Sequence, residues 1–205
     1  MAISEQIRKL KENSKKRNFN QTYDLIVNLK DLDLKKSENK INEIVVLPKN
    51  PGKEKTITVF TESGKKTEGI NVIKSSKIES LGKNKKEVAN LIAKTGFFFA
   101  EPKLMPVVGK HLGKYLAPKG LMPKILTGSI DQTAKKYKNA VSIKIDKQLI
   151  VHTIVGSYDM KDEDIEKNIE TIMNFLKTKL PKGRNNIKNA YLKFTMSKPV
   201  KLDVI

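Results

Sequence analysis

Hydrophobic and polar positions follow two periods along the chain. In ISEQIRKLKEN, residues 3–13, Ile3, Ile7 and Leu10 recur at helical spacing with charges between them, which predicts a short amphipathic helix. From Phe19 the period falls to two: Tyr23, Leu25, Val27 and Leu29 alternate with Asn20, Thr22, Asp24 and Asn28, the pattern of a half-buried strand. KINEIVVLP adds a second strand, and PKNPGKEK, with two prolines and a glycine, reads as a linker and hinge. TITVF and GINVI read as strands. Asn84 and Glu87 then form a capping-box start for a helix carrying Val88, Leu91 and Ile92 on one face. Gly96 is expected to end that helix before FFFA, a continuously apolar strand suited to the middle of a sheet.

Further on, VSIKID and LIVHTIVG predict a hairpin turning around Lys147. Residues 162–178 give the clearest helix, with Ile165, Ile169, Ile172, Met173 and Leu176 on one face. Its acids Asp162, Glu163 and Asp164 sit at the positive end of the dipole, and Lys177 and Lys179 at the other. NAYLKFTMS alternates Leu192, Phe194 and Met196 with Tyr191, Lys193, Thr195 and Ser197, and VKLDV is a last strand. The two ends thus supply antiparallel-looking strands and one long helix, whereas the middle supplies strand, helix, strand. This order predicts an α+β split domain of residues 1–54 plus 139–205 and an inserted α/β domain of residues 55–138. The chain would cross between them near Lys53 and near Asn139.

Charge narrows the function. The 205 residues carry 41 Lys and Arg against 22 Asp and Glu, a net +19, so a polyanion is the expected partner and nucleic acid the leading one. Only Arg8, Arg17 and Arg184 are arginines. The remaining basic residues are lysines, compact charges that suit phosphate and read bases poorly. A membrane is not expected: no run of about 18 apolar residues occurs, and the N-terminal stretch has no apolar signal region, which predicts a cytoplasmic protein. Cysteine is absent and histidine occurs only at His111 and His152, so thiolate zinc, disulfides and a cysteine nucleophile are excluded. No Gly-x-Ser-x-Gly elbow is present either. Neither catalytic residues, nor a metal, nor a cofactor is expected.

The glycine- and proline-rich stretch HLGKYLAPKGLMPKILTG, residues 111–128, invites a phosphate-loop reading. From Gly109 the spacing to Gly113 and Lys114 is one residue short of a Walker loop, and Tyr115 stands where Ser or Thr would hold magnesium. Several segments point elsewhere. RNFNQTYDLIVNLKDLDL, ENKINEIVVLP with the following GK, LGKNKK, LGKYLAPKGLMP, HTIVG and NIKNAYLKFTMS stand in order from about Arg17 to Ser197. Together they resemble the ribosomal protein L-one family of the large-subunit lateral stalk, most closely its archaeal branch.

The resemblance implies a split domain with an inserted Rossmann-like domain. It implies a monomer within the ribosome that binds large-subunit rRNA at the base of a mobile stalk and assists release of deacylated tRNA from the exit site. It also implies repression of translation through binding to the protein's own mRNA. The glycine-rich stretch would then be a surface loop of the insert. RNA-facing positions of the family are matched here by Asn18, Phe19, Thr22, His152, Thr195, Met196 and Ser197. From the residues alone, Thr22 and Thr195 have polar-face parity, Phe19 and Met196 have core parity, and His152 lies between Ile150 and Ile154 like an ordinary core histidine. Ala117, Lys119 and Ser197 depart from the family's Gly, Arg and Gly, so locally altered contacts are expected at those positions. Two other function classes stay open: a nucleotide-dependent enzyme using the central α/β domain, and a general basic DNA-binding protein.

Overall fold

The computed structural model describes residues 3–15, 17–52, 56–63, 70–126 and 128–203. In chain order the elements begin with α1 (Ile3–Glu12), β1 (Thr22–Leu29), β2 (Ile41–Val46), β3 (Thr56–Thr61) and β4 (Ile70–Lys74). Next come α2 (Ser75–Lys83), α3 (Lys85–Lys94), β5 (Thr95–Ala100), α4 (Met105–Leu116), β6 (Lys124–Ile125) and α5 (Ile130–Tyr137). The chain closes with β7 (Ala140–Ile145), β8 (Ile150–Ser157), α6 (Asp162–Lys179), β9 (Ile187–Phe194) and β10 (Val200–Leu202). Contacts divide it into two compact units, Met1–Lys53 with Asn139–Ile205, and Glu54–Lys138. The hinge expected at Lys53, like the expected 54/55 boundary, lies outside the described residues.

The first unit is built on an antiparallel sheet in the order β10-β9-β1-β8. Alternation along β1 buries Tyr23, Leu25, Val27 and Leu29 on one face. They join Ile7 and Leu10 of α1, Leu192 and Phe194 of β9, and the apolar stripe Ile165, Ile169, Ile172, Met173 and Leu176 of α6 in one core. A separate two-stranded sheet, β2 with β7, adds Val45, Val141, Ile143 and Ile145 to the same core. The hairpin expected from VSIKID and LIVHTIVG is therefore not formed. β7 takes β2 as its ladder partner, opposing Ile41 to Ile145 and Val45 to Val141, and β8 takes β1, opposing Val27 to Val151.

Polar ties hold this unit where chain segments meet. Asn168, fully buried in α6, accepts from the Lys49 N–H at 3.1 Å and donates to the carbonyls of Lys49 at 3.2 Å and Val155 at 2.8 Å. The acidic first turn of α6 also draws cations: Lys11 meets Asp162 at 2.5 Å and Lys49 meets Asp164 at 3.4 Å.

The second unit has a parallel sheet in the order β4-β3-β5-β6. Phe60, Phe98, Val88, Ile92, Val108, Leu112 and Leu116 share its core. Asn84 caps α3 as its spacing predicts, accepting from the Glu87 N–H at 3.4 Å while its amide donates to the Glu87 carboxylate at 2.9 Å. Gly96 does not end that helix. It lies inside β5, which starts at Thr95.

The stretch from His111 is likewise no surface loop in its first part. His111–Leu116 complete α4, Ala117–Lys119 form a 3₁₀ turn, and only Gly120, at φ 68°, takes the left-handed conformation that breaks the helix. Pro106 in the first turn of α4 is compatible with helix because its missing N–H has no intrahelical partner there. His111 lies at the crossing of α2 and α4, where a Cβ on Gly82 would come within 2.9 Å of its carbonyl oxygen.

Candidate nucleic-acid interface

At one end of the four-stranded sheet, β1 begins at Thr22 and its neighbour β9 ends at Phe194. The residues just beyond these ends are fastened to each other. The Thr195 N–H donates to the Thr22 carbonyl at 3.1 Å, the Thr22 N–H donates to the Thr195 Oγ1 at 3.3 Å, and the two hydroxyls are 3.0 Å apart. The Met196 N–H donates to the Gln21 Oε1 at 3.3 Å. The turn closes through the Ser197 N–H on the Phe194 carbonyl at 3.2 Å. The Ser197 hydroxyl accepts from the Phe194 N–H at 2.8 Å and donates to the Lys198 carbonyl at 3.0 Å.

Two loop tips, 17–21 and 194–198, thus stand side by side. Each presents a large apolar side chain to solvent: Phe19 is 53% exposed and Met196 63%. Their chain neighbours Asn18 and Thr195 are exposed as well. Arg17 borders two clefts. One, of about 330 Å³, is shared with Asn18, Phe19, Gln21 and Tyr158. The other, of about 430 Å³, is shared with Lys15, Met196, Ser197 and Lys198. Beneath lie packed rings, Phe194 with Tyr23 at 4.4 Å and with Tyr158 at 5.4 Å. The Tyr23 hydroxyl is buried without a partner, and burial, then the charges of Asp162 and Tyr158, raise it well above the usual phenol range.

The structure brings six of the expected residues together and revises how four of them get there. Phe19 is not on a strand, since β1 starts three residues later, so its apparent core parity has no bearing and the ring is exposed. Met196 loses core parity for the same reason, because the turn after Phe194 ends β9. Thr22, read as a free polar-face hydroxyl, is buried under Thr195 and hydrogen-bonded to it. Ser197, the departure from the family's glycine, turns its hydroxyl back onto its own turn. His152 is the residue left apart. It is exposed rather than core, pairs with Ile26 in register, and stands four β1 residues from Thr22, roughly 13 Å at strand spacing. Lys15, Arg17, Gln21 and Lys198, not singled out from sequence, share this end. Their signal was adjacency to the tips that carry Phe19 and Met196.

Chemically this end offers cations, amides, hydroxyls and two apolar tips, a set that suits phosphates together with unstacked bases. Among the described residues, no group of three or more His, Asp or Glu could hold a metal ion. In the second unit the order β4-β3-β5 places the switch point, where an α/β sheet would bind a nucleotide, between the ends of β3 and β5. Glu101 occupies it: its carboxylate accepts from the Thr61 hydroxyl and from the Glu62 N–H, the latter at 3.2 Å. A carboxylate on the available amide repels a phosphate. The Gly109–Lys114 spacing lies within α4, not on a loop, so it supplies no cradle of free N–H groups.

Comparison with known proteins bears on this geometry. Residues 10–198 match the family model described as the ribosomal protein L1p/L10e family. The large ribosomal subunit protein uL1 of Methanobrevibacter smithii is 41% identical, with 98% of each chain covered. That of Methanothermobacter thermautotrophicus is 39% identical, again over 98% of each chain. The uL1 of Pyrococcus abyssi is 37% identical over 98% of this chain and 94% of its own.

Proposed function

Because the chain belongs to the ribosomal protein L1p/L10e family, we propose that it binds folded large-subunit rRNA through the fastened loop tips of its first unit. It is a protein of the large ribosomal subunit by family, and the relatives are named as ribosomal proteins, not as enzymes. In this reading the unit formed by both chain ends is the RNA-binding split domain and residues 54–138 are the insert. The protein sits as a monomer at the base of the lateral stalk of cytoplasmic ribosomes and assists release of deacylated tRNA from the exit site. It represses translation when a similar fold in its own mRNA takes the rRNA's place.

The observation that carries the reading is the pair of exposed apolar tips, Phe19 and Met196, on loops pinned by the Thr22–Thr195 hydroxyl pair and flanked by Lys15, Arg17 and Lys198. A purely electrostatic binder needs the cations alone; pre-ordered apolar tips beside them suit a folded RNA with accessible sugars and bases. The test is competition between a folded large-subunit stalk rRNA fragment and duplex DNA of equal length at one salt concentration. Preference for the RNA by tenfold or more is expected. Equal affinity would leave only a general basic nucleic-acid binder.

A further inference from the structure

The chain has six methionines and no cysteine, so its thioethers are the side chains that a mild oxidant attacks first. The described methionines differ in how open their sulfur is. Met173 is buried in the core of the first unit, and Met105 packs half-buried against that of the second. Met160 is half-buried, and its Sδ accepts the Ser157 N–H at 3.4 Å, which engages a lone pair that an oxidant would need. Met122, in the second unit, is 44% exposed. Met196 is the most open of the described methionines, at 63%. Its exposure is built into the turn: the Met196 N–H is held by the buried Gln21 Oε1 at 3.3 Å, and the Ser197 N–H by the Phe194 carbonyl at 3.2 Å. Withdrawing the side chain into the core would break these bonds.

We infer that Met196 is an oxidation site that switches RNA binding: a peroxide converts its thioether to the sulfoxide and releases the RNA, and bound RNA shields the sulfur. The inference rests on the proposed RNA-binding function and adds to it a means of control. In the step, a sulfur lone pair attacks one peroxide oxygen, an S–O bond forms and the O–O bond breaks. The departing hydroxide and the proton left on the transferred oxygen combine as water. Sulfur loses two electrons and the peroxide gains them. The product is neutral but polar, with a strong acceptor oxygen in place of an apolar tip. Inside an RNA interface that oxygen is desolvated, and it faces phosphate oxygens that cannot donate to it. The turn that displays Met196 is bonded through its backbone, so the modification changes the tip without unfolding the strand ends. Because no charge changes, the switch acts on apolar contact and leaves the attraction of the lysines intact. Sulfoxide reductases, which use thiols to return the oxygen as water, make it reversible.

The test treats the full chain with hydrogen peroxide, maps sulfoxides by peptide mass, and measures binding to the folded stalk rRNA fragment. Oxidation should weaken binding by about 5- to 25-fold, the affinity that burying roughly two-thirds of a methionine side chain supplies. The slope against salt and the unfolding temperature should stay at the untreated values, and treatment with a methionine sulfoxide reductase and dithiothreitol should restore affinity. Met196→Leu keeps apolar bulk without an oxidisable sulfur; it should bind like the parent and go on doing so after peroxide. Met122→Leu should lose affinity as the parent does. Stalk fragment bound beforehand should slow oxidation of Met196 and not of Met122. Unchanged affinity of a parent oxidised at Met196, an equal loss in Met196→Leu, or no shielding by the fragment would each overturn the switch and leave the loop-tip reading standing. Failure of the untreated parent to prefer the stalk fragment over duplex DNA would overturn both.

Discussion

The hydroxyls of Thr22 and Thr195 lie 3.0 Å apart and join the start of one strand to the end of its neighbour. Thr22 is buried, so this pair is the partner its hydroxyl has, and the Thr195 oxygen also receives the Thr22 N–H. Thr195→Val preserves shape and removes both bonds. Stability should fall by about 1–3 kcal/mol, the range for leaving buried polar groups unpaired. The urea midpoint should drop with the slope unchanged, and Thr195→Ser should restore most of the loss. A parent-like midpoint for Thr195→Val would mean that water replaces the hydroxyl without cost.

Asn168 performs a similar task deeper in the fold. One side chain satisfies the Lys49 N–H and two carbonyls, tying the segment after β2 to α6 and β8. Asn168→Leu fills the space but strands three backbone groups, and about 2–4 kcal/mol of stability should be lost. Hydrogen exchange should also show faster exchange at Lys49 than in the parent. Unchanged protection there would remove Asn168 as the tie.

Gly52 is conformationally committed. Its φ of +87° is one that other residues rarely adopt, and a Cβ would come within 2.5 Å of the Ser157 Cβ. Gly52→Ala should therefore destabilise by about 1–3 kcal/mol. Adding Ser157→Gly should recover only the part due to the clash, leaving the backbone strain. Full recovery would show that the left-handed conformation carries no penalty at this site.

How much of this was legible in the sequence depended on which signal carried each element. Alternation located β1 and β9, and the 3.6 period with charged ends located α6, because each has one face in the core. α4 is missed because Gly109 and Gly113 read as part of the loop-like stretch that runs to residue 128. Pro106 occupies the tolerant first turn, and no neighbour lies within 4 Å of where a Cβ on either glycine would be, so the buried Val108, Leu112 and Leu116 decide the helix. The pairing of β7 with β2 is non-local, and no turn signal encodes it. At the candidate site, residue identities were readable but parity misled beyond the strand ends: Phe19 and Met196 obey loop geometry, not period two.

Tyr23 gives the fold a pH dependence with a definite sign. Burial, then the charges of Asp162 and Tyr158, raise its hydroxyl above the unfolded value of 10.0. The folded state thus holds a proton that the unfolded chain releases, and the corresponding stability is intact below pH 10 and lost as pH rises beyond it. Tyr23→Phe removes the titration along with an unpartnered buried hydroxyl. At pH 7 it should match or slightly exceed the parent in stability, and its stability should fall less steeply between pH 10 and 11. Parallel pH profiles for the two proteins would assign the alkaline loss to other groups.

Salt dependence separates recognition from charge at the loop tips. Phe19, 53% exposed, carries no charge, whereas Lys198 lies on the neighbouring tip and borders the cleft shared with Arg17 and Met196. If the ring packs on a base or sugar of the stalk RNA, Phe19→Ala should cost about 1–3 kcal/mol of binding. Because no counterion is released by a phenyl ring, the slope of log affinity against log salt should stay at the parent's value. Lys198→Ala should do the reverse: a modest loss at any one salt concentration, but a slope smaller in magnitude by about 0.7–0.9, the share of one phosphate contact. Neither side chain is in the core, so both variants should unfold like the parent. Binding to the folded stalk fragment across a salt series, with thermal unfolding as the control, yields both quantities. Equal slopes and affinities for Phe19→Ala and the parent would reduce the loop tips to scaffold and return RNA binding to the lysine field alone.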